Sequence, residues 1–398
     1  MTLIECFTAA DIDNIASCLR LRPAKMILVG KCKEMVRPIK RYKALLEKRK
    51  QKTKVVPCNI EHKSFRDICD ALYKVLLEEK KCVIDVTGGD ETVLLAVGAV
   101  LAQLNEEKRK NVRVEKYEHD RGVVVDCIGN KHYSRPRAVK LTVEELILLH
   151  GGCIYPDSYQ PPETYQYTDM EEIWHISKDW NDAISKLLEF ESRSEDSMKI
   201  DVSWAELRSG ISNFAAKEPI VVDLLDRLQR KGMIDDYSNF YTMQYRYRTE
   251  ELRYCTAKAG NALEMKTLLE GRAVTENGRP YFDDCRMSVS IDWDGVVHTP
   301  RNGPADTNNE IDVVLMRGTT PLFVSCKNGD VNEEELYKLN TVAARFGGKY
   351  VRKMLVSTNF NKGKAFIQRA GDMGIYLVTD VKDMTHEQWQ ALFLEAMQ

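Results

Sequence analysis

The residues whose types and spacing best suit chemistry lie between positions 310 and 327. Glu310 and Asp312 stand two apart in the run Glu310-Ile311-Asp312-Val313-Val314, and Ser325 and Lys327 stand two apart at the end of Leu322-Phe323-Val324-Ser325-Cys326-Lys327. Strand residues alternate faces, so each pair is expected on one side of its strand. Arg317-Gly318-Thr319-Thr320-Pro321 joins the two runs as a hairpin. A turn centred between Gly318 and Thr319 sets Asp312 opposite Ser325 and Glu310 opposite Lys327, and opposed residues of an antiparallel pair point the same way. A three- or five-residue loop breaks that register. Two carboxylates and an ammonium on a largely apolar hairpin are costly to bury unless a cation or a phosphate satisfies them. This arrangement suits metal-assisted phosphodiester hydrolysis, in which a divalent ion activates water and neutralises charge on the reacting oxygens. A surface Glu310–Lys327 ion pair, worth ~0.2–1 kcal/mol, is the bland alternative.

The elements that must position these residues fall into three blocks. Short β-rich and helical runs alternate from Leu3 to Leu104, and Arg113–Tyr117 and Gly122–Ile128 follow as a terminal hairpin. That rhythm predicts a parallel sheet with helices on both faces over residues 1–155, closed by the breakers Tyr155-Pro156-Asp157 and Pro161-Pro162. Residues 156–257 read as a helical, winged-helix-like module: a helix from Pro219 to Leu228, Gly232, Ile234, then an aromatic strand from Phe240 to Tyr247. Asp223, Asp226, Asp235 and Asp236 oppose a phosphate backbone there, so a packing linker is preferred over DNA recognition. Residues 258–398 read as a mixed α/β domain: a helix from Ala262 to Leu269, a strand from Arg286 to Ile291, the hairpin, then alternating helices and strands. Asn332 and Glu335 form a capping-box-like helix start, and Gly347-Gly348 ends that helix. The fold class is therefore α/β with a helical middle module.

Composition narrows the setting. With 398 residues, 43% hydrophobic and 30% charged, the chain is expected to be soluble and multidomain, with no run of apolar residues long enough for a membrane helix. Met1-Thr2-Leu3-Ile4-Glu5 lacks a signal-peptide pattern. Eleven cysteines, without Cys-x-x-Cys spacing, fit reduced thiols in a cytoplasm. A net charge of −2 leaves any phosphate contact to local patches or bound metal. The basic stretch Lys31, Lys33, Arg37, Lys40, Arg41 and Lys43 reads as a solvated face. The seven histidines, at 62, 119, 132, 150, 175, 298 and 386, show no paired metal spacing. Asp292 and Asp294 flank Trp293 as a hairpin turn with a possible accessory acidic role.

A second site is written into Asp85-Val86-Thr87-Gly88-Gly89-Asp90-Glu91-Thr92, which follows an apolar strand and opens a helix. Backbone N–H groups at a helix start, behind two glycines, form an anion site at the carboxyl end of a parallel sheet. The loop lacks the Lys and Ser/Thr of a nucleotide-hydrolysing phosphate loop. The ends of the first two strands, Phe7-Thr8 and Gly30-Lys31, are expected to line the same crevice. Asp90 and Glu91 read as contacts to ribose hydroxyls or as charge stabilisation of the helix start.

Cys82-Val83-Ile84-Asp85-Val86-Thr87-Gly88-Gly89 resembles the signature of CRISPR-associated Rossmann-fold sensor domains, which bind cyclic oligoadenylate. With a Glu-Ile-Asp strand and a Ser-Cys-Lys strand near the other end, the chain resembles the ancillary nucleases of type III CRISPR defence, in which a sensor precedes a restriction-endonuclease-like PD-(D/E)xK domain. The resemblance implies a homodimer with one symmetric pocket for cyclic tetra-adenylate, whose phosphates meet the Thr87–Thr92 turns of both chains. It departs from many sensor relatives in having Asp90-Glu91 where they carry Thr-Lys, which leaves the activator's ring size open.

In the nuclease part, Asp312 is the expected metal ligand, with the backbone carbonyl of Cys326 on the facing strand and Lys327 placed to orient or activate water. Oxygen ligands point to Mg or Mn. The family has Asp or Glu two residues before the lysine, where this chain has Ser325, so a second carboxylate must come from elsewhere. Glu264 resembles the acid that such nucleases bring from the opening helix, and Glu310 is the local alternative, while Ser325 can hydrogen-bond a metal-bound water. The resulting expectation is a cyclic oligoadenylate-activated, metal-dependent nuclease. DNA and RNA substrates both stay open, because no base-reading element is identifiable. The rivals are a ligand-sensing transcription regulator with an inactive nuclease scaffold and an unregulated repair or restriction nuclease.

Overall fold

A computed structural model of the chain describes residues 1–129, 131–133, 139–156, 159–165, 171, 173–174, 196–210, 214–257, 260–296 and 308–398. His175, His298 and much of the helical stretch expected after residue 168 lie outside them.

The alternation of the first block produces β1 (Thr2–Cys6), α1 (Asp11–Leu21), β2 (Lys25–Gly30), α2 (Cys32–Lys48), β3 (Lys54–Asn59), α3 (Phe65–Glu78), β4 (Cys82–Asp85) and α4 (Glu91–Gln103). After the short α5 (Glu106–Arg109) come β5 (Val112–Glu118), β6 (Val123–Asp126) and β7 (Lys131–Tyr133). The sheet order is β3-β2-β1-β4-β5-β6-β7, parallel through β5 and antiparallel beyond it. Largely apolar runs make this possible, because strands covered by helices on both faces have no solvent side: β1 is buried at all five positions. Strand order reverses between β1 and β4, which opens a crevice beyond their carboxyl ends. The second helix starts at Cys32, six residues before Pro38, so the proline sits inside it rather than at its start.

The middle block runs β9 (Lys199–Ser203), two helices (Trp204–Gly210 and Phe214–Arg230), β10 (Ile234–Ser238) and β11 (Thr242–Tyr247), with sheet order β10-β11-β9. The Glu250–Ala257 helix leads out of it.

The last block carries a small hairpin, β12 (Thr275–Glu276) and β13 (Arg279–Pro280), and centres on β14 (Asp284–Asp292), β15 (Asn308–Arg317), β16 (Thr320–Lys327), β17 (Arg352–Ser357) and β18 (Ile375–Val378). Its sheet has order β18-β17-β16-β15-β14-β8, and β8 is Cys153–Ile154, pairing with Ile291 and Asp292. The chain thus joins the edge of this sheet before it enters the middle block. Helices Asn261–Ala273 and Glu333–Phe346 lie on opposite faces. On one side Leu263 and Leu268 share a core with Val313, Leu315, Leu322 and Val324. On the other, Leu336 and Phe346 share a core with Val314, Phe323 and α1 residues such as Ile15. That second core is continuous from the first block into the last, so the crevice-bearing sheet and the hairpin rest on common packing.

All eleven cysteines are unpaired thiols. Among the described residues no helix is long and apolar enough to cross a membrane.

Candidate active site and ligand crevice

The hairpin has the expected register. Arg317 pairs with Thr320 and Val313 with Val324 across a two-residue turn at Gly318-Thr319. The ladder stops there, and the next backbone donor, Cys326 N–H, goes 2.6 Å to Asp312 Oδ2 instead of to a strand carbonyl. Ser325 Oγ donates to the same oxygen at 3.2 Å. The Cys326 carbonyl, on the same strand edge as its N–H, has no ladder partner in β15.

Side-chain alternation breaks at Asp312. Val313 lies in the core with Leu263, whereas Ile311, two residues away, lies in the opposite core with Val289 and Ile291. In an unbroken strand both would share a face. Across the ladder β14 takes φ 47° at Ser288, between the Met287–Val313 and Val289–Ile311 pairs. The expectation that Glu310 shares Asp312's side and faces Lys327 is corrected accordingly. Lys327 Nζ lies 3.7 Å from Asp312 Oδ2 and 3.0 Å from Glu335 Oε2, while the exposed Glu310 acts electrostatically on Glu264.

Glu264 is carried by the Asn261–Ala273 helix, which lies close to the hairpin because Gly271 has no side chain. A Cβ there would stand 2.7 Å from Leu315 Cδ1. Thr267, one turn on from Glu264, accepts from Cys326 Sγ at 3.5 Å. Glu264 Oε2 receives Ser288 Oγ at 3.3 Å and Tyr254 Oη at 3.4 Å. Burial, then the charges of Asp312 and Glu310, push the Glu264 carboxyl up to about 8. Burial also raises Asp312, against the pull of Lys327. Lys327 itself is held above the usual ammonium range by Asp312 and Glu335, which outweigh its burial. Carboxylates that resist ionisation beside a lysine that resists losing its proton make a site short of positive charge. Among the described residues no group of three or more His, Cys, Asp or Glu stands ready to hold a metal ion. The available hard donors are two carboxylates and a backbone carbonyl.

Sequence reasoning missed Glu335, Tyr254 and Ser288. It read Glu335 as half of a capping box. The Asn332 side chain does accept from Glu335 N–H, but the Glu335 carboxylate goes to Lys327 and Lys338. A glutamate eight residues beyond a strand-ending lysine was the available signal. Tyr254 and Ser288 carried none.

In the crevice, the Thr87-Gly88-Gly89 turn is fixed from below. Asp85 Oδ1 accepts from Thr87 N–H at 2.6 Å, and Thr87 Oγ1 accepts from Tyr117 N–H at 2.7 Å. Gly88 lies against β1: a Cβ would fall 2.4 Å from Thr8 Cγ2, and Gly89 takes φ 112°. Thr8 N–H is held by Asn14 Oδ1 at 2.8 Å. Asp90 caps α4 by accepting from Thr92 N–H at 2.9 Å, and Glu91 follows in its first turn, which favours the helix-start reading of both. Lys31 precedes α2 and reaches Glu34 at 3.6 Å, and a Cβ on Gly30 would crowd Phe7 at 2.7 Å. Between the end of β1 and α2 a cleft of about 600 Å³ is lined by Phe7, Ala9, Asp11, Lys33, Arg37 and Arg41, among others, and by none of residues 87–92. Three members of the basic stretch expected to be a solvated face, Lys33, Arg37 and Arg41, therefore line this cleft.

Residues 259–390 match the family of Card1-like endonuclease domains. No curated protein matches the chain. Fold and domain match define the class: a Rossmann-like, mostly parallel sheet in the first block, joined to a region matched by the Card1-like endonuclease domain family. Over its whole length the chain is similar in fold to protein VC1899 from Vibrio cholerae, with TM-score 0.71 at 16% identity, covering 100% of this chain and 97% of that one. It is likewise similar to Can2 from Sulfobacillus thermosulfidooxidans, solved in complex with cyclic tetra-adenylate, with TM-score 0.66 at 15% identity, covering 100% and 99%.

Proposed function

We propose that the chain is a cyclic oligoadenylate-activated, metal-dependent nuclease of the PD-(D/E)xK type, acting as a cytoplasmic homodimer in type III CRISPR defence. The observation that carries this reading is the pair of half-buried, ionisation-resistant carboxylates, Glu264 and Asp312, beside Lys327 in a region matched by the Card1-like endonuclease domain family. Glu264, Asp312 and the Cys326 carbonyl would hold Mg or Mn, both of which favour oxygen donors. When bound, the ion supplies an acidified water and neutralises charge on the reacting phosphate.

The chain's own groups do the rest. Lys327 Nζ, kept protonated by Asp312 and Glu335, orients the attacking water and meets charge developing on the phosphate oxygens. Ser325 and the Cys326 N–H fix the Asp312 carboxylate, so that its remaining lone pairs face outward. Glu310, exposed at the mouth, supplies an accessory acidic group.

The sensor reading rests on the β1/β4 switch point, the Gly88-Gly89 turn, the start of α4 and the basic edge of the cleft. Phe7, Thr8, Gly30, Lys31 and Thr87 to Thr92 would line the activator site, with Lys33, Arg37 and Arg41 adding positive charge. Can2's bound ligand favours cyclic tetra-adenylate. A two-fold ring matches a two-fold interface, and α4 offers a surface for one: Leu95 is 66% exposed and Gly98 and Ala102 are exposed on the same side. The middle block, whose strand-helix-helix-hairpin order is winged-helix-like, would connect the two sites. The activator stimulates cleavage only by binding the cutting-competent arrangement more tightly.

Labelled single- and double-stranded DNA and RNA, incubated with protein and Mn with or without cyclic tetra-adenylate, test the proposal. Stimulated cleavage that Lys327→Ala abolishes, with activator binding intact, is expected. Activity indifferent to the activator would point to an unregulated nuclease. Sequence-specific DNA binding without cleavage, unchanged in the variant, would point to a regulator.

A further inference from the structure

Glu264 is held by two hydroxyls from distant parts of the chain. Tyr254 Oη is 2.6 Å from Ser288 Oγ, and Ser288 Oγ is 3.3 Å from Glu264 Oε2. Each hydroxyl has one proton to give. With Glu264 ionised, Ser288 donates to Glu264 and Tyr254 donates to Ser288 along the shortest contact, which leaves the 3.4 Å Tyr254–Glu264 approach as the weakest. Both contacts fall on Oε2, so Oε1 is left to a further ligand.

The supports of this chain of hydroxyls are themselves unusual. Ser288 sits within a strand at φ 47°, a left-handed conformation that a residue with a side chain rarely adopts and that persists only where surroundings enforce it. The enforcement is visible next door. Met287 N–H donates 3.1 Å to Gln160 Oε1, and the Gln160 amide donates back to the Met287 carbonyl, so one side chain replaces a neighbouring strand. Tyr159, adjacent in sequence, stacks on Tyr254 with ring centroids 4.4 Å apart and an 18° tilt. Tyr254 lies on the helix that leaves the middle block, and Tyr159-Gln160 lie on the segment that enters it.

We infer that Tyr254 and Ser288 are positioning residues for Glu264: they fix Oε2 so that Oε1 shares a divalent ion with Asp312, and they do so only when the middle block and its entry segment are docked on β14. This rests on reading Glu264 and Asp312 as the metal-holding acids.

Calorimetric titration of Mn into the full chain, with thermal melting and cleavage alongside, tests the inference in Tyr254→Phe, Ser288→Ala, Ser288→Gly and Asp312→Asn. Loss of a group that orients a metal ligand costs roughly 10–100-fold in metal affinity, and that fall is expected for Tyr254→Phe and for both Ser288 variants. Ser288→Gly separates positioning from folding, because glycine tolerates the positive φ. It should melt no lower than the native chain and still bind Mn as poorly as Ser288→Ala. Native-like Mn affinity and cleavage in Tyr254→Phe and Ser288→Gly, with binding lost in Asp312→Asn, would overturn the positioning role alone. Native-like Mn binding in Asp312→Asn would overturn the metal reading, and this inference with it.

Discussion

Replacing Glu264 with Gln should stabilise the metal-free protein while abolishing cleavage. The folded chain holds this carboxyl at about 8 against an ordinary 4.5, through burial and the charges of Asp312 and Glu310, opposed by Ser288 and Lys327. Below pH 4.5 both states are protonated, and the group's contribution to stability is fully present. As pH rises toward 8 the unfolded chain releases a proton that the folded chain keeps, so stability falls across that window and levels off above it. Each unit is worth ~1.36 kcal/mol, so by pH 7 the loss reaches on the order of 2–3 kcal/mol after a discount for the partial exposure of Glu264. At ~2–4 °C per kcal/mol for a domain of this size, Glu264→Gln should melt roughly 4–12 °C above the native protein at pH 7.5, with little difference at pH 4.5. Gln keeps the shape and can still meet Ser288 and Tyr254. Scanning calorimetry in EDTA at both pH values measures the difference directly. Adding Mn at a hundred times its Kd should return about 2.7 kcal/mol to the native protein and almost nothing to the variant. A variant that melts lower than the native protein at pH 7.5, or by the same margin at both pH values, would refute the reasoning.

Two further outcomes concern the first block. Gly88→Val places a side chain where only 2.4 Å separates the position of a Cβ from Thr8 Cγ2, so the turn must shift at a cost of ~1–3 kcal/mol; the Kd for cyclic tetra-adenylate should rise at least tenfold by calorimetry, and an unchanged Kd would count against the crevice. Glu5, Asp85 and Glu115 lie side by side across β1, β4 and β5, all buried, and neither Glu5 carboxyl oxygen has a hydrogen-bond partner among the described residues. Burial and the Asp85 charge raise Glu5 well above the usual carboxylate range, so Glu5→Gln should raise the melting temperature at pH 7.5 and change it little below pH 4.5. A melting point lowered at pH 7.5 would show that the glutamate is needed as an ion.

Much of this architecture was legible because it repeats a period. Apolar runs alternating with amphipathic ones gave the parallel sheet and its terminal hairpin, and two residues in the Gly318-Thr319 turn settled the pairing of Val313 with Val324. Glu264 was reachable only through the resemblance to nucleases that bring an acid from the opening helix. What stayed hidden depends on tertiary geometry. The side-chain alternation of β15 breaks between Ile311 and Val313, opposite the left-handed Ser288, and nothing in the types of residues 286–291 announces it. Glu335 satisfied a local capping pattern so well that its pairing with Lys327 was invisible from sequence. Tyr254 meets Ser288 across 34 positions and a domain boundary. The addition of Cys153–Ile154 to β14 buries a short strand of ordinary composition against a partner more than a hundred residues away.

The most direct test of the central claim is anomalous diffraction from crystals soaked in Mn. One manganese peak bonded to carboxylate oxygens of Asp312 and Glu264 and to the Cys326 carbonyl, with Lys327 Nζ close by, is the predicted result. A peak elsewhere, or none at this site under conditions where the protein cleaves, would contradict the account.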